Sequence, residues 1–545
     1  MYPMTARRRP ADISRSVGLL VVTVLIALIC LTGSARASDV TSMTVEQAHT
    51  ALADGSVTST ALTRAYLKRI ARYEPYYNAF TAMNRRALAE ARASDARRAK
   101  GQARSYMDGV PIVVKDSIDV AGLPTTGGWL SAQAGGINLV PDHDAPVVAR
   151  LRRGGAIVLG KTNLPAFSFA YNANDSWAGP TFNVLNRHWL PGGSSTGTAT
   201  AVAADFATSG LGEETAGSIQ APAGAQSLVG VKPTFGLVPN TGSQPLGGPT
   251  RDVLGPITKT VSDAADILNV ISGYTLKDPK TTAAIGNIPV GGYKSDLSTT
   301  ALAGTRIGLY GTGWKKGGRL NPATTALYDE AIKTLEAQGA TTVADPFAGS
   351  GFASLATKEL IGLKSMPYDF NNYLKNLGPG ARVHSLKELD KVLGVNIFGP
   401  RGPAHLFEEL YPEMIPSVKN PTVPPDISSF VRSRESYLRI FNQVMDENHL
   451  DALVFPQTTQ ALGKLWGESI DLTTVSAINV AGLPLVVIPA GHYPSGKPFA
   501  LVFVGKLWSE ARLIGYAYDY EQAAPGRIVR KHLETTPGPR HPKKK

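Results

Sequence analysis

Two serines in glycine-flanked turns and one lysine at the end of an apolar run are the residues of this chain that could do chemistry together. Ser194 lies in Gly192-Gly193-Ser194-Ser195-Thr196. Ser218 lies in Thr215-Ala216-Gly217-Ser218-Ile219-Gln220-Ala221-Pro222, and an alanine-rich helical run from Thr198 to Ala204 separates the two. Lys115 closes the run Val110-Pro111-Ile112-Val113-Val114, which reads as a buried strand delivering an amine at its end. A serine hydroxyl is a poor nucleophile until a base takes its proton. A lysine can be that base where burial disfavours its charged form. Glycine beside the serine removes a Cβ and lets a substrate carbonyl approach. Successive backbone N–H groups in such a turn can hold a developing oxyanion. Singly, each residue has an ordinary reading: a lysine at a strand's exposed end, a serine in a turn or at a helix N-cap. Together they supply a nucleophile, a hydroxyl relay and an amine base.

The surrounding words run in the order GVPIVVKD, GKTNLPAFS, PGGSS, AGSIQAPA, VGVKPTFGLVP, GPITKTVSDAA, NVAGLPLVVIPAG and VGKLWSEARLIGYAYDYEQ. In this order the chain resembles the amidase signature family over most of its length. The resemblance implies hydrolysis of carboxylic amides through an acyl-enzyme, with Ser218 as nucleophile, Ser194 as relay on a cis peptide bond and Lys115 as base. It implies an oxyanion hole from the backbone N–H groups of Thr215, Ala216, Gly217 and Ser218. It implies no metal and no organic cofactor, and a small-molecule amide substrate. The fold it implies is α/β, a large mixed, mostly parallel twisted sheet covered by helices on both faces. The chain departs from the family's commonest word, roughly G-T-D-T-G-G-S-I-R, which here reads Gly-Glu-Glu-Thr-Ala-Gly-Ser-Ile-Gln over 212–220. Gln220 stands where Arg is common and Ala216 where Gly is common, and Thr196 replaces a glycine of the usual GGSSGG. These changes are expected to tune the substrate and to leave the chemistry in place. An esterase or a carbamate hydrolase on the same three residues is the first alternative, and a non-catalytic binding protein of the envelope the second.

Two other motifs compete for the same residues. Gly193-Ser194-Ser195-Thr196-Gly197 fits G-x-S-x-G, but the nucleophile elbow needs a strand immediately before it, and Arg187-His188-Trp189-Leu190-Pro191-Gly192 is not one. The segment from Gly155 to Thr162 fits the phosphate-loop pattern. Its four central residues, Ala156 to Leu159, are apolar and read as a strand, which leaves no free amides for a phosphate. The nine histidines do not cluster with metal-ligand spacing. Asp142-His143-Asp144 precedes an apolar-periodic segment, so Asp144 is expected to be a helix N-cap.

The elements that must position these residues follow the signals of an exported chain. Residues 1–37 read as a secretion signal, with Arg7-Arg8-Arg9 and Arg15, an apolar run from Val17 to Leu31, and Ala35-Arg36-Ala37 as the cleavage site. The run is short for a membrane span, and retention as an anchor is the alternative. The only cysteine, Cys30, lies inside the run, so the mature chain has no disulfide. Removing the segment's five Arg and one Asp lowers the net charge from +12 to +8. A basic end from 531 to 545 reads as disordered. No aromatic-plus-basic module supports nucleic-acid binding, and the export signal disfavours an amidotransferase component that modifies charged tRNA. Thr44 to Ala53, Ser59 to Tyr73 and Asn84 to Lys100 form an expected N-terminal helical layer. Strand-like runs at 111–114, 156–159, 228–231, 306–310, 452–455 and 485–489 alternate with helices, which argues an α/β sheet. A single amidase signature domain is expected over 38–530, in which the less family-like 275–450 shapes the substrate funnel. The sequence leaves the natural substrate and the oligomeric state open.

Overall fold

A computed structural model describes residues 40–129, 139–355, 363–467 and 469–541. The secretion signal expected over 1–37 and the last four residues lie outside them. Eleven strands build one sheet: β1 (Phe80–Met83), β2 (Pro111–Lys115), β3 (Ile157–Thr162), β4 (Ser209–Glu214), β5 (Val229–Lys232), β6 (Val253–Thr258), β7 (Arg306–Leu309), β8 (Thr341–Val343), β9 (Ala452–Pro456), β10 (Leu485–His492) and β11 (Pro498–Val504). Their spatial order is β1-β3-β2-β4-β6-β5-β10-β11-β9-β7-β8. Every residue of β2 to β6, β9 and β11 is buried. Strands buried on both faces need cover on both. The helices Thr196–Ala203, Val261–Ile271 and Glu510–Ala523 are among those packed on the sheet.

The sheet is mixed, as expected, but parallel pairing does not predominate: six of its ten neighbour pairings are antiparallel. The parallel pairings form two blocks, β3-β2-β4 and β9-β7-β8. The reason is a set of strands that carry little periodicity. β4 is Ser-Gly-Leu-Gly-Glu-Glu and β6 is Val-Leu-Gly-Pro-Ile-Thr, and both pair antiparallel in the middle of the sheet. β10 and β11 form an antiparallel hairpin, closed by Tyr493 N–H donating to the Lys497 carbonyl.

The N-terminal helices lie at Val45–Ala53, Ser59–Tyr77 and Ala87–Arg98. Thr44 and Gln47 close the first with a reciprocal capping box. Asp144 is not a cap. The helix there begins at Pro146, and Asp144 Oδ1 accepts from Ala121 N–H at 2.8 Å and pairs with Arg152 at 3.0 Å. The N-cap position falls on Ala145, one residue later, whose methyl side chain accepts no hydrogen bond. Within 275–450, Leu363, Phe370, Leu374, Leu389, Phe407 and Met414 build a second apolar cluster, which also takes in Phe167 and Leu246.

The basic end does not stay loose from 531 as expected. Arg187, 4% exposed, pairs with Glu534 at 2.6 Å and donates to the Thr536 carbonyl at 2.6 Å. His541 lies over Trp466, ring centroids 4.6 Å apart. A buried guanidinium needs acceptors, and this segment carries them.

Candidate active site

Lys115 ends β2, an inner strand of the sheet, and is fully buried. Its Nζ donates to Ser194 Oγ at 2.8 Å and to the Glu213 carbonyl at 3.3 Å. The Glu213 carboxylate stands 3.3 Å from the same nitrogen. Burial pushes the Lys115 pKa below the ordinary lysine value of 10.5, and the neighbouring Glu213 charge opposes that shift. Ser194 follows Gly193 through a cis peptide bond and is fully buried just before the helix Thr196–Ala203.

Ser218 sits in the turn between β4 and the short helix Gln220–Ala225. It is 7% exposed and lines a cavity of about 280 Å³. Ser195 N–H donates to the Ser218 carbonyl at 3.3 Å, which ties the two serine-bearing segments together. The Ser218 hydroxyl makes no hydrogen bond to another described residue, so the contact of the three side chains is direct between Lys115 and Ser194 only. Gly217 has φ +100°, and a Cβ there would come within 2.5 Å of Leu472. The turn before the serine therefore requires glycine. Among the described residues, the N–H groups of Thr215, Ala216, Gly217 and Ser218 donate to no protein acceptor. Thr215, Ala216 and Ser218 line the cavity with Phe169, Tyr171 and Tyr411.

Several residues that sequence reasoning missed hold this arrangement. Tyr171 Oη donates to the Ala216 carbonyl at 2.8 Å and braces the turn. Ser117 Oγ donates to Glu213 Oε2 at 2.6 Å, and Ser243 Oγ to Glu213 Oε1 at 3.0 Å. Asp252 accepts from Thr215 Oγ1 at 2.5 Å and from the N–H groups of Leu246, Gly247 and Gly248. Burial, then the Glu213 charge, push the Asp252 pKa above its usual range. Ser117, two residues after Lys115, and Glu213, inside the Ser218 word, stand in the sequence as polar residues beside the expected site. Tyr171, Ser243 and Asp252 carry no local signal.

The departures in the Ser218 word fall in two places. Ala216 lines the cavity, where a substrate would meet it. Gln220 does not line it and lies fully buried beneath the turn. Its Nε2 donates to Glu214 Oε1 at 3.0 Å, and its Oε1 accepts from Thr474 Oγ1 at 2.7 Å. Glu214 Oε2 in turn accepts from the N–H groups of Ile219 and Gln220 at 2.9 and 3.1 Å. Gln220 therefore supports the turn, and any effect it has on substrate passes through that turn and not through direct contact. Gln220→Ala should orphan the Thr474 hydroxyl and weaken the hold on Glu214, at about 1–3 kcal/mol for a buried unsatisfied group. A lowered denaturant midpoint, with slower labelling of Ser218 by a fluorophosphonate, is the expected result.

The rival motifs do not assemble. Ser195 is fully buried, and its hydroxyl exchanges hydrogen bonds with the Glu213 backbone, at 3.2 Å each way. Lys161 lies within β3 and donates to the Pro124 carbonyl and Thr125 Oγ1, so no phosphate loop forms there. No group of His, Cys, Asp and Glu suited to a metal ion occurs among the described residues.

Residues 61–514 match the family model described as Amidase. The chain is similar to a glutamyl-tRNA(Gln) amidotransferase subunit of Thermosynechococcus vestitus, 31% identical over 511 residues that cover 88% of this chain and 98% of the relative. It is similar to a probable amidase of Arabidopsis thaliana, 31% identical over 528 residues, covering 93% of this chain and 95% of that one. Among solved structures it is similar to the peptide amidase of Stenotrophomonas maltophilia, with TM-score 0.75 and 33% identity, covering 90% of this chain and 99% of that one.

Proposed function

The chain belongs to the amidase family, and from that premise we propose that it is a secreted serine amidase that works through an acyl-enzyme on Ser218, Ser194 and Lys115. As a family member it is a hydrolase of carbon–nitrogen bonds. The observation that carries the finer reading is the 2.8 Å bond from Lys115 Nζ to Ser194 Oγ, in a segment that Ser195 N–H ties to the Ser218 carbonyl. A hydroxyl that can donate and accept at once can pass a proton between the other two groups. Ser218 Oγ attacks the amide carbon, and its proton moves to Ser194 as the Ser194 proton moves to Lys115. The oxyanion is met by the N–H groups of the 215–218 turn, which are free of protein acceptors. Collapse expels the amine, which takes a proton back along the same path. Water then repeats the sequence on the ester and releases the acid and Ser218.

Export rests on the sequence of residues 1–37. No helix of the described residues is long and apolar enough to cross a membrane. The likeness to a peptide amidase puts peptide amides among the substrates to be tried. A panel of simple amides, peptide amides, activated esters and carbamates tests the reading. Amide turnover by the isolated chain is expected, from protein in the culture medium whose first residues are Ser38-Asp39-Val40. Turnover of esters alone would favour the esterase alternative. No turnover, with no covalent labelling, would favour a binding protein.

A further inference from the structure

The amine of Lys115 has a carboxylate for a neighbour, and a neutral base has no need of one. Glu213 Oε2 lies 3.3 Å from Lys115 Nζ, and both side chains are out of contact with solvent, at 0% and 1% exposure. The carboxylate is held from two sides, since Ser117 and Ser243 donate to its two oxygens, while its own backbone brackets Ser195. The same residue's carbonyl also accepts from Lys115 Nζ. Glu213 therefore fixes where the amine sits and supplies the nearest charge to it.

We propose that Glu213 is a positioning residue of the catalytic centre, one that holds the Lys115 amine against Ser194 and governs how readily that amine gives up its proton. The inference rests on the reading of Lys115 as the base. The other charges facing Lys115 are already committed elsewhere. Glu214, next along β4, is taken up by Ile219, Gln220 and Asn479. Asp252, just before β6, is taken up by Thr215 and the 246–248 backbone. Asp116, the next residue after Lys115, accepts from Thr81, Thr126 and Gly127, and its charge acts on Lys161 of β3. Glu213 alone among these carboxylates makes an ion pair with Lys115 among the described residues.

A carboxylate at this distance favours the ammonium over the amine. The site thus opposes two forces: burial drives the proton off Lys115 and Glu213 holds it on. The result is an amine that keeps its proton until the pH has risen further than burial alone would require. Ser243, on the other oxygen of Glu213, also lines a second cavity of about 330 Å³, which shares no lining residue with the first. The carboxylate is therefore linked through Ser243 to a cavity other than the one Ser218 lines.

The test is the pH profile of kcat/KM on an amide, measured with the full chain and three variants. Glu213→Gln keeps the shape and removes the charge. Its ascending limb should move to lower pH by about one to three units, with Ser218 still labelled by the fluorophosphonate. Glu213→Asp draws the carboxylate back by one methylene and should move the limb the same way by less. A group that only supports the fold would lower the rate at every pH and leave the limb in place, and that result overturns the inference. Should Glu213→Gln fail to fold, Glu213→Asp decides, and a limb at the wild-type pH overturns it equally. Lys115→Ala separates the two layers. A limb that survives loss of the lysine removes the base reading and this inference with it. A lysine-dependent limb that both Glu213 variants leave unmoved removes this inference alone.

Discussion

Ser218→Ala should lower amide turnover by roughly 10⁴-fold or more, the scale seen when other serine nucleophiles are removed. The loss should come with loss of covalent labelling by a fluorophosphonate and with little change in the thermal midpoint. The side chain faces a cavity and makes no hydrogen bond to another described residue, so deleting its hydroxyl orphans no partner. Ser195→Ala is the matching control. That hydroxyl is buried and bonded to the Glu213 backbone, so its removal should cost stability and keep labelling at Ser218. A probe found on Ser195 would refute the assignment.

Lys115→Ala should lower amide turnover by about 10²–10⁴-fold, the range for a lost acid–base group, and should hurt an activated ester less. The amide's amine must be protonated as it leaves, whereas a good leaving group departs without help. The lysine is a base only when neutral, so wild-type activity should rise with pH through the Lys115 titration. Burial places that titration below the ordinary lysine value, and the sign is fixed: rate is lost as pH falls and the amine gains its proton. Removing the lysine also strands a buried carboxylate, at about 3–5 kcal/mol, so a fraction of the preparation is expected to unfold. The amide-to-ester ratio measured on one sample is independent of that fraction. Equal losses on both substrates, or a histidine-like profile abolished by removing one histidine, would overturn the lysine mechanism.

Lys115 was legible because an apolar run ending in a charged residue is either buried with a purpose or exposed without one, and the neighbouring words chose between these. The serine turns were legible from their glycines. What stayed hidden was everything set by contacts distant in sequence. Ser243 and Asp252 reach Glu213 and Thr215 from loops 30 and 37 residues away, and the Thr474 bond that seats Gln220 spans 254. β4 was missed because strand patterns are read from β-branched and aromatic residues, and it has none. With β4, β6 and β11 unread, the remaining strands looked like crossovers, and the sheet looked more parallel than it is. Gln220 looked like a substrate-facing change because sequence shows adjacency to Ser218 and not direction.

Arg187 precedes the Gly192–Ser194 turn by a few residues, and its guanidinium donates to Glu534 and Thr536. A buried guanidinium that loses its acceptors is costly. The segment leading into Ser194 therefore depends on partners more than three hundred residues further along the chain. Without residues 534 to 536 the buried guanidinium would lose these acceptors. A chain ended before residue 534 would carry Lys115, Ser194 and Ser218 and still lack this clasp. The clasp thus makes the far C-terminal segment part of the support for the loop that carries Ser194.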